Sequence, residues 1–564
     1  MLDLVLPIFS SVAFALALPV LAPSALAQCE STKLTASDGD AGDRFGYGAR
    51  IDGDRLLIPA KHDEAPASDS GSAYIFDFDG ANWVESAKLI AASGASGDLM
   101  GWESILQGDE VFLGTPIGDG VVLDSGTVVI FDYDGVTWSE AQTLSVLSGA
   151  DGDFFGRSLA VDGDFALIGA PRTDGIGANS GSAFVFERIA GVWTQVQELL
   201  ASDATSGDQF GWALDLDGDT AVIGAWGQDA GGTDSGAVYV FERSGGSFAE
   251  VQKLTPSDAP SGQFGWTVRV DGDWVVVGAA LDDEAGFQGG AAYVFGHSGA
   301  SWVEHQKLIP VDAAIGDKFG TTIELDGARF LGGAATADHG GNGAGTVYVY
   351  QLEGALWRRR ARLTASDAEA GDRFSRYMDL DGNRALIGAI HEDDNGADAG
   401  AAYIFELDTG ITPYCFCPNP AVCSNDDAFA GCETSTGEGA FLWACGSSSV
   451  SADDLSLHVD QLPTGQFGLI YMGAGSISLP FGDGQRCVGA GGVGLYRFPI
   501  RSSGTGGSLV EGPGLVAYSI GAFNAAGQLS VGQSWSFQYW FRDPGGPCGT
   551  AFNLSNALRV LFGA

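Results

Sequence analysis

The residues best equipped for chemistry are carboxylates that recur in short loops. One set is Asp38, Asp40 and Asp43, with Asp203 and Asp208 placed alike in a later segment. A second set is Asp282-Asp283-Glu284 and Glu392-Asp393-Asp394. Such carboxylates are ligands for hard cations, and extracellular modules hold Ca²⁺ this way at about 10⁻⁴–10⁻³ M. The competing reading is turn formation, for which Asp and Gly are the usual residues. A third set, Asp52-Gly53-Asp54, Asp162-Gly163-Asp164, Asp217-Gly218-Asp219 and Asp271-Gly272-Asp273, is too short for a metal. Ca²⁺ takes about six to eight oxygens, so these read as hairpin turns. No metal ligand is assigned beyond the Ca²⁺ candidates of the first two sets, and no other cofactor is expected.

Catalytic signatures are sparse. The six histidines, His62, His297, His305, His339, His391 and His458, form no HExxH pair. GxSxG and GxxxxGK[ST] patterns are absent. Arg358-Arg359-Arg360 is a singular cluster that reads as a solvated strand edge. Eight cysteines, Cys29, Cys415, Cys417, Cys423, Cys432, Cys445, Cys487 and Cys548, leave a long cysteine-free stretch after Cys29. An even count in an exported chain suggests disulfides, and the spacing lacks the paired CxxC of zinc sites. Cys29 with Cys415 or Cys417, and Cys487 with Cys548, are the candidate bridges.

The elements that carry these residues repeat. Phe-Gly occurs at Phe45, Phe155, Phe210, Phe264 and Phe319, with weaker versions at Met100-Gly101 and Phe374-Ser375. Seven units of about 55 residues follow. In the third, Ser158–Val161 reads as a short strand and Asp162-Gly163-Asp164 as a turn. Phe165–Ala170 reads as a buried strand, Ala183–Phe186 as the next, and Trp193–Leu200 as the outer one. Four antiparallel strands per unit is the geometry of a propeller blade. The aromatic residues Trp83, Trp138, Trp193, Phe248, Trp302 and Trp357 recur at one place in the outer strand, where large rings usually fill core. The seventh unit lacks an outer strand, and residues 32–36 supply the missing sequence. That segment is expected to complete the seventh blade and remove an exposed edge.

The Phe-Gly pair, followed later by Gly169-Ala170-Pro171, resembles the FG-GAP repeat of the integrin α-subunit propeller, and more closely the secreted bacterial FG-GAP proteins. The resemblance covers residues 31–410. It implies a seven-bladed propeller and extracellular binding. The longer Ca²⁺ loop of integrins is cut here to the DGD turn.

The expected fold is therefore all-β: a seven-bladed β-propeller of four-stranded blades, then a small β-sandwich. Residues 1–27 read as a signal peptide, with an apolar stretch from Leu4 to Leu21 and Ala25-Leu26-Ala27 before the cut. The propeller spans 28–410, a Cys-rich linker 411–435, and the sandwich-like module 436–564. Within that module, Gly437-Glu438-Gly439, Phe481-Gly482-Asp483-Gly484 and Arg542-Asp543-Pro544 resemble a C-terminal module of secreted bacterial proteins.

Acidic residues number 72 against 27 basic ones, a formal charge of −45. This excludes nucleic acid as a partner, since phosphate binding depends on basic side chains. No transmembrane segment is expected after the signal. The reading is a monomeric, non-catalytic protein, secreted or at the cell surface, that binds or scaffolds an extracellular protein or polysaccharide. Alternatives are a structural envelope or matrix protein, and a hydrolase or lyase with its site in the propeller channel. A non-repeating charged cluster at the channel mouth favours the enzyme; uniform rims favour binding or structure.

Overall fold

The computed structural model describes residues 30–120, 122–146, 148–258, 262–299, 301–310, 312–407, 411–415, 417, 430–437, 439–504 and 507–564. The signal segment lies outside these residues. Seven four-stranded antiparallel sheets form in chain order. The third blade, Ser158–Asp162, Phe165–Ala170, Ser182–Ile189 and Val192–Leu199, is representative. Its first hairpin turns at Gly163, whose φ of +57° suits glycine. The two central strands are apolar along most of their length because neighbouring blades cover both faces.

The repeat motif makes the contact between blades. Phe155 is 1% exposed and meets Phe184 edge-on, ring centroids 5.8 Å apart. A Cβ on Gly156 would stand 2.5 Å from the Thr127 carbonyl of the preceding blade, so the close approach demands glycine. The outer-strand aromatics Trp193, Phe248, Trp302 and Trp357 are buried and belong to the core.

A second set of contacts rings the channel at its DGD end. Asp52 accepts the backbone N–H of Gly108 (2.7 Å), Asp162 that of Gly218 (2.6 Å) and Asp217 that of Gly272 (2.7 Å). Asp271 accepts from Gly327 and Asp326 from Gly382. Gln107 takes the same part toward Gly163 at 3.2 Å. The first residue of each DGD turn thus ties its blade to the next.

The strand Glu30–Leu34 lies antiparallel to Ala401–Glu406, with Thr32 opposite Ile404 and Leu34 opposite Ala402. It is the outer strand of the sheet that holds Phe374–Asp381 and Arg384–Ala389. The first segment of the described chain therefore closes the ring.

The C-terminal module packs a six-stranded sheet against a three-stranded one. Leu442, Leu457 and Val459 from the smaller sheet share a core with Met472, Phe537, Tyr539 and Val560 from the larger. Ile411–Tyr414, inside the segment read as linker, is the edge strand of the larger sheet, with Ile411 opposite Val560. A short helix, Leu515–Ala522, was not expected.

The bridges differ from the expected pairs. Cys415 joins Cys487 (Cα atoms 6.1 Å apart) and Cys417 joins Cys432 (4.7 Å). Cys29–Cys415, Cys29–Cys417 and Cys487–Cys548 are therefore corrected. The cause is the edge strand Ile411–Tyr414: it delivers Cys415 to the C-terminal module beside Cys487. Cys445 and Cys548 are also disulfide-bonded. Cys29 and Cys423 lie outside the described residues.

Candidate functional site: the channel mouth

The acidic loops hold the protein's own lysines. Asp367, Glu392 and Asp394 bring carboxylate oxygens within 4.8 Å of one another. Lys33 Nζ sits among them at 2.7, 2.9 and 2.6 Å. Lys307 does the same with Asp258, Asp282 and Glu284. Asp38 takes Lys88 at 2.8 Å and the Tyr74 hydroxyl at 2.7 Å. Burial opposes the charge on Lys33 and Lys307, but the surrounding carboxylates outweigh it and hold both well above the usual lysine range. Other Ca²⁺ candidates close their own loops. Asp43 accepts the Asp40 N–H, Asp283 that of Gln288 and Asp393 that of Asp398. At Asp367, Glu392 and Asp394, and at Asp258, Asp282 and Glu284, a lysine ammonium sits among the carboxylates.

Arg359 departs from a solvated edge. It is largely buried and donates to Asp312 at 2.6 Å, beside Arg362 at 2.8 Å.

The two channel mouths differ. At the DGD mouth the polar groups serve the ring of blade-to-blade bonds. At the other, the residue after each Phe-Gly position reads Tyr47, Trp102, Arg157, Trp212, Trp266, Thr321 and Arg376. Here the repeat stops repeating. Trp212, Trp226 and Trp266 cluster with centroid distances of 5.0–5.9 Å. Lys61 Nζ lies between the rings of Tyr47 (3.7 Å) and Trp102 (3.8 Å). Arg157 stacks over Trp212 at 4.2 Å, and Arg376 lies 5.6 Å from the Tyr377 ring. Among the described residues, no carboxylate ion-pairs with Lys61, Arg157 or Arg376. Lys61 is 4% exposed, and burial pushes its pKa down to about 8. Burial would raise the Tyr47 phenol, but the adjacent Lys61 and Arg376 charges hold it below its usual value.

Beneath the mouth a charged network spans the channel. Arg50 donates to Glu103 at 2.5 Å and reaches Glu324 at 3.6 Å. Arg269 clasps Glu324 through Nε (2.7 Å) and Nη2 (2.5 Å). Asp379 accepts the Ile51 N–H at 2.8 Å, and Asp215 that of Val270 at 2.8 Å. Burial pushes Asp379 up to about 7 and Asp215 to about 6 despite the arginines. Above this floor is a cavity of about 80 Å³ lined by Glu103, Arg157, Trp212, Trp266, Arg376 and Tyr377, among others.

None of these mouth residues was singled out from the sequence. The signal was available: one position in the repeat carries tryptophan, arginine, tyrosine or, once, threonine where a structural position would be uniform.

Seven four-stranded blades around a channel define a β-propeller. The FG-GAP repeat model matches residues 29–76, 138–186, 193–241, 248–295, 302–350 and 357–405, more than half of the chain, and the chain belongs to that family. The unmatched unit is the second blade, where Met100 replaces phenylalanine. No curated protein matches the chain. Similar solved structures include two described as putative 6-phosphogluconolactonases. The one from Bacteroides fragilis NCTC 9343 is 12% identical, with a TM-score of 0.39 over 56% of this chain and 83% of its own. The one from Bacteroides uniformis ATCC 8492 is 11% identical, with a TM-score of 0.40 over 58% and 88%. This likeness assigns no activity. No helix among the described residues is long and apolar enough to cross a membrane.

Proposed function

We propose that this protein is an extracellular, non-catalytic binding propeller that takes an anionic polysaccharide at the Phe-Gly mouth of its channel. One observation carries the reading. In a chain of charge −45, buried Lys61 and half-buried Arg157 and Arg376 gather at this mouth with no ion-paired carboxylate among the described residues, beside the half-buried indoles of Trp102 and Trp212. Indole faces stack on the apolar faces of sugar rings, and guanidinium groups bind carboxylate or sulfate through paired hydrogen bonds. The outer carboxylates do not cancel this, because salt screens charges beyond about 8 Å. The Arg50–Glu103–Glu324–Arg269 network floors the site, so a polymer rests on the mouth and does not thread the channel.

Calorimetry with polygalacturonate and with neutral dextran tests the reading. Binding of the charged polymer alone, lost in Arg157→Gln/Arg376→Gln, is the expected result. Equal binding of both polymers, or an unaffected double variant, rejects it.

A second reading, a lyase acting on the same polymer, rests on Tyr47. A phenol lowered by flanking cations suits a base that takes the proton beside a uronate carboxylate, and a non-repeating charged cluster at the mouth favours an enzyme. Against it, Tyr47 is only 4% exposed beneath Lys61, and Glu103 and Glu324 are already engaged by arginine. Prolonged incubation with polygalacturonate, followed by ultraviolet absorbance of unsaturated ends, separates the two. Absence of product supports the binder.

A further inference from the structure

Two aspartates in the C-terminal module are buried although both belong to loops. Asp483 lies in the turn between the strands Gly475–Phe481 and Gly484–Gly489. Asp543 directly follows the strand Ser534–Arg542. Both have 0% exposure. Their backbones are anchored to consecutive residues: Asp543 N–H donates to the Ala551 carbonyl and Asp483 N–H to that of Phe552, each at 3.0 Å. Both carboxylates reach the same glycine, Gly546.

Gly546 roofs the space between them. A Cβ there would collide with the Asp483 carboxylate and stand 2.9 Å from Asp543 Oδ2. Asp483 Oδ1 accepts the Thr550 N–H at 3.0 Å and the Thr550 hydroxyl. Asp543 Oδ2 accepts the Ser435 N–H at 3.0 Å. Asp543 Oδ1 has no hydrogen-bond partner, and no lysine or arginine ion-pairs with Asp543 among the described residues. A carboxylate removed from water needs a counter-charge or a proton, and a second carboxylate at its side raises the demand.

We propose that a hard divalent cation, Ca²⁺, binds between Asp483 and Asp543. Ca²⁺ selects carboxylate oxygen and completes its shell with backbone carbonyls and water. The loop over the site supplies access, since Pro544, Gly545 and Gly549 are exposed. The contrast with Asp367, Glu392 and Asp394 is direct. There Lys33 provides the positive charge; Asp543 has no such ammonium.

The test uses the full chain stripped with EDTA. Ca²⁺ calorimetry is expected to show a site whose occupancy raises the unfolding temperature of the C-terminal module. Asp543→Asn should lose both the heat and the shift, while Glu392→Gln keeps them. In wild type, hydrogen exchange should slow on Ca²⁺ addition at residues 482–484 and 543–551, a readout independent of any variant. No Ca²⁺ binding, an Asp543→Asn protein with the full response, or protection confined elsewhere would overturn the proposal.

Discussion

The Asp381 carboxylate accepts the backbone N–H of Gly53 at 2.7 Å. Asp381 ends the inner strand of the seventh blade and Gly53 turns the first hairpin, so this bond joins the two ends of the ring. Asp381→Ala removes a charge-assisted acceptor at an exposed position. Chemical denaturation should show a loss of about 1 kcal/mol, and Asp217→Ala, at the corresponding place between the fourth and fifth blades, should lose a similar amount.

Deleting residues 30–36 is a far larger perturbation. It strips Ala401–Glu406 of its partner and leaves a long apolar strand edge. Size-exclusion chromatography should show self-association of the truncated protein, with earlier unfolding than in Asp381→Ala.

Lys61 trades stability for charge. Its folded pKa of about 8 lies below the usual lysine value of 10.5, so the unfolded state binds the proton more readily between those values. The penalty is present in full below pH 8 and fades as pH rises toward 10.5. Lys61→Met should therefore stabilise the protein at pH 7 by about 1–3 kcal/mol, the lower figure allowing for lost cation–π contact. Anion binding should weaken in the variant, and in wild type it should decline as pH rises through about 8.

Asp379 behaves in the opposite sense. Its folded pKa, about 7, is raised above the usual aspartate value of 3.8. The stability linked to its protonated form is complete below pH 3.8 and is lost as pH rises through 7. Asp379→Asn keeps an acceptor for the Ile51 N–H and should flatten this dependence, with its largest stabilising effect above pH 7 in urea titrations.

Reduction should act on one module. Cys415–Cys487 and Cys417–Cys432 span 72 and 15 residues. Each contributes roughly 2–4 kcal/mol in the chain-entropy account. Calorimetry with reductant should lower the C-terminal transition and leave the propeller transition in place.

Period and turn chemistry made the propeller legible. Phe155-Gly156, the Asp162-Gly163-Asp164 turn and the alternating apolar runs each dictate local geometry, and seven copies repeat the same instruction. The closing strand could be read because one unit lacked an element that another segment supplied. The channel mouth was hidden for the same reason. Arg157 and Trp212 belong to successive units and Arg376 to a unit much further along the chain, and only the curvature of the ring brings them together. The disulfides were misread because pairing depends on where Ile411–Tyr414 docks, which no local pattern encodes. The ion-paired role of Glu392 and Asp394 depends likewise on Lys33, more than 350 residues away.

The seam also imposes an order in time. Ser31 bonds to Ile404 across 373 residues. During synthesis the first strand emerges long before its partner exists. Blades one to six can assemble from neighbours as they appear, because each of their hairpins is local. The ring cannot close until Ala401–Glu406 is made, so Glu30–Leu34 must wait with its backbone unpaired. The bonds that close the ring are made by a strand synthesised long before its partner, and closure serves as a completion check on the whole propeller.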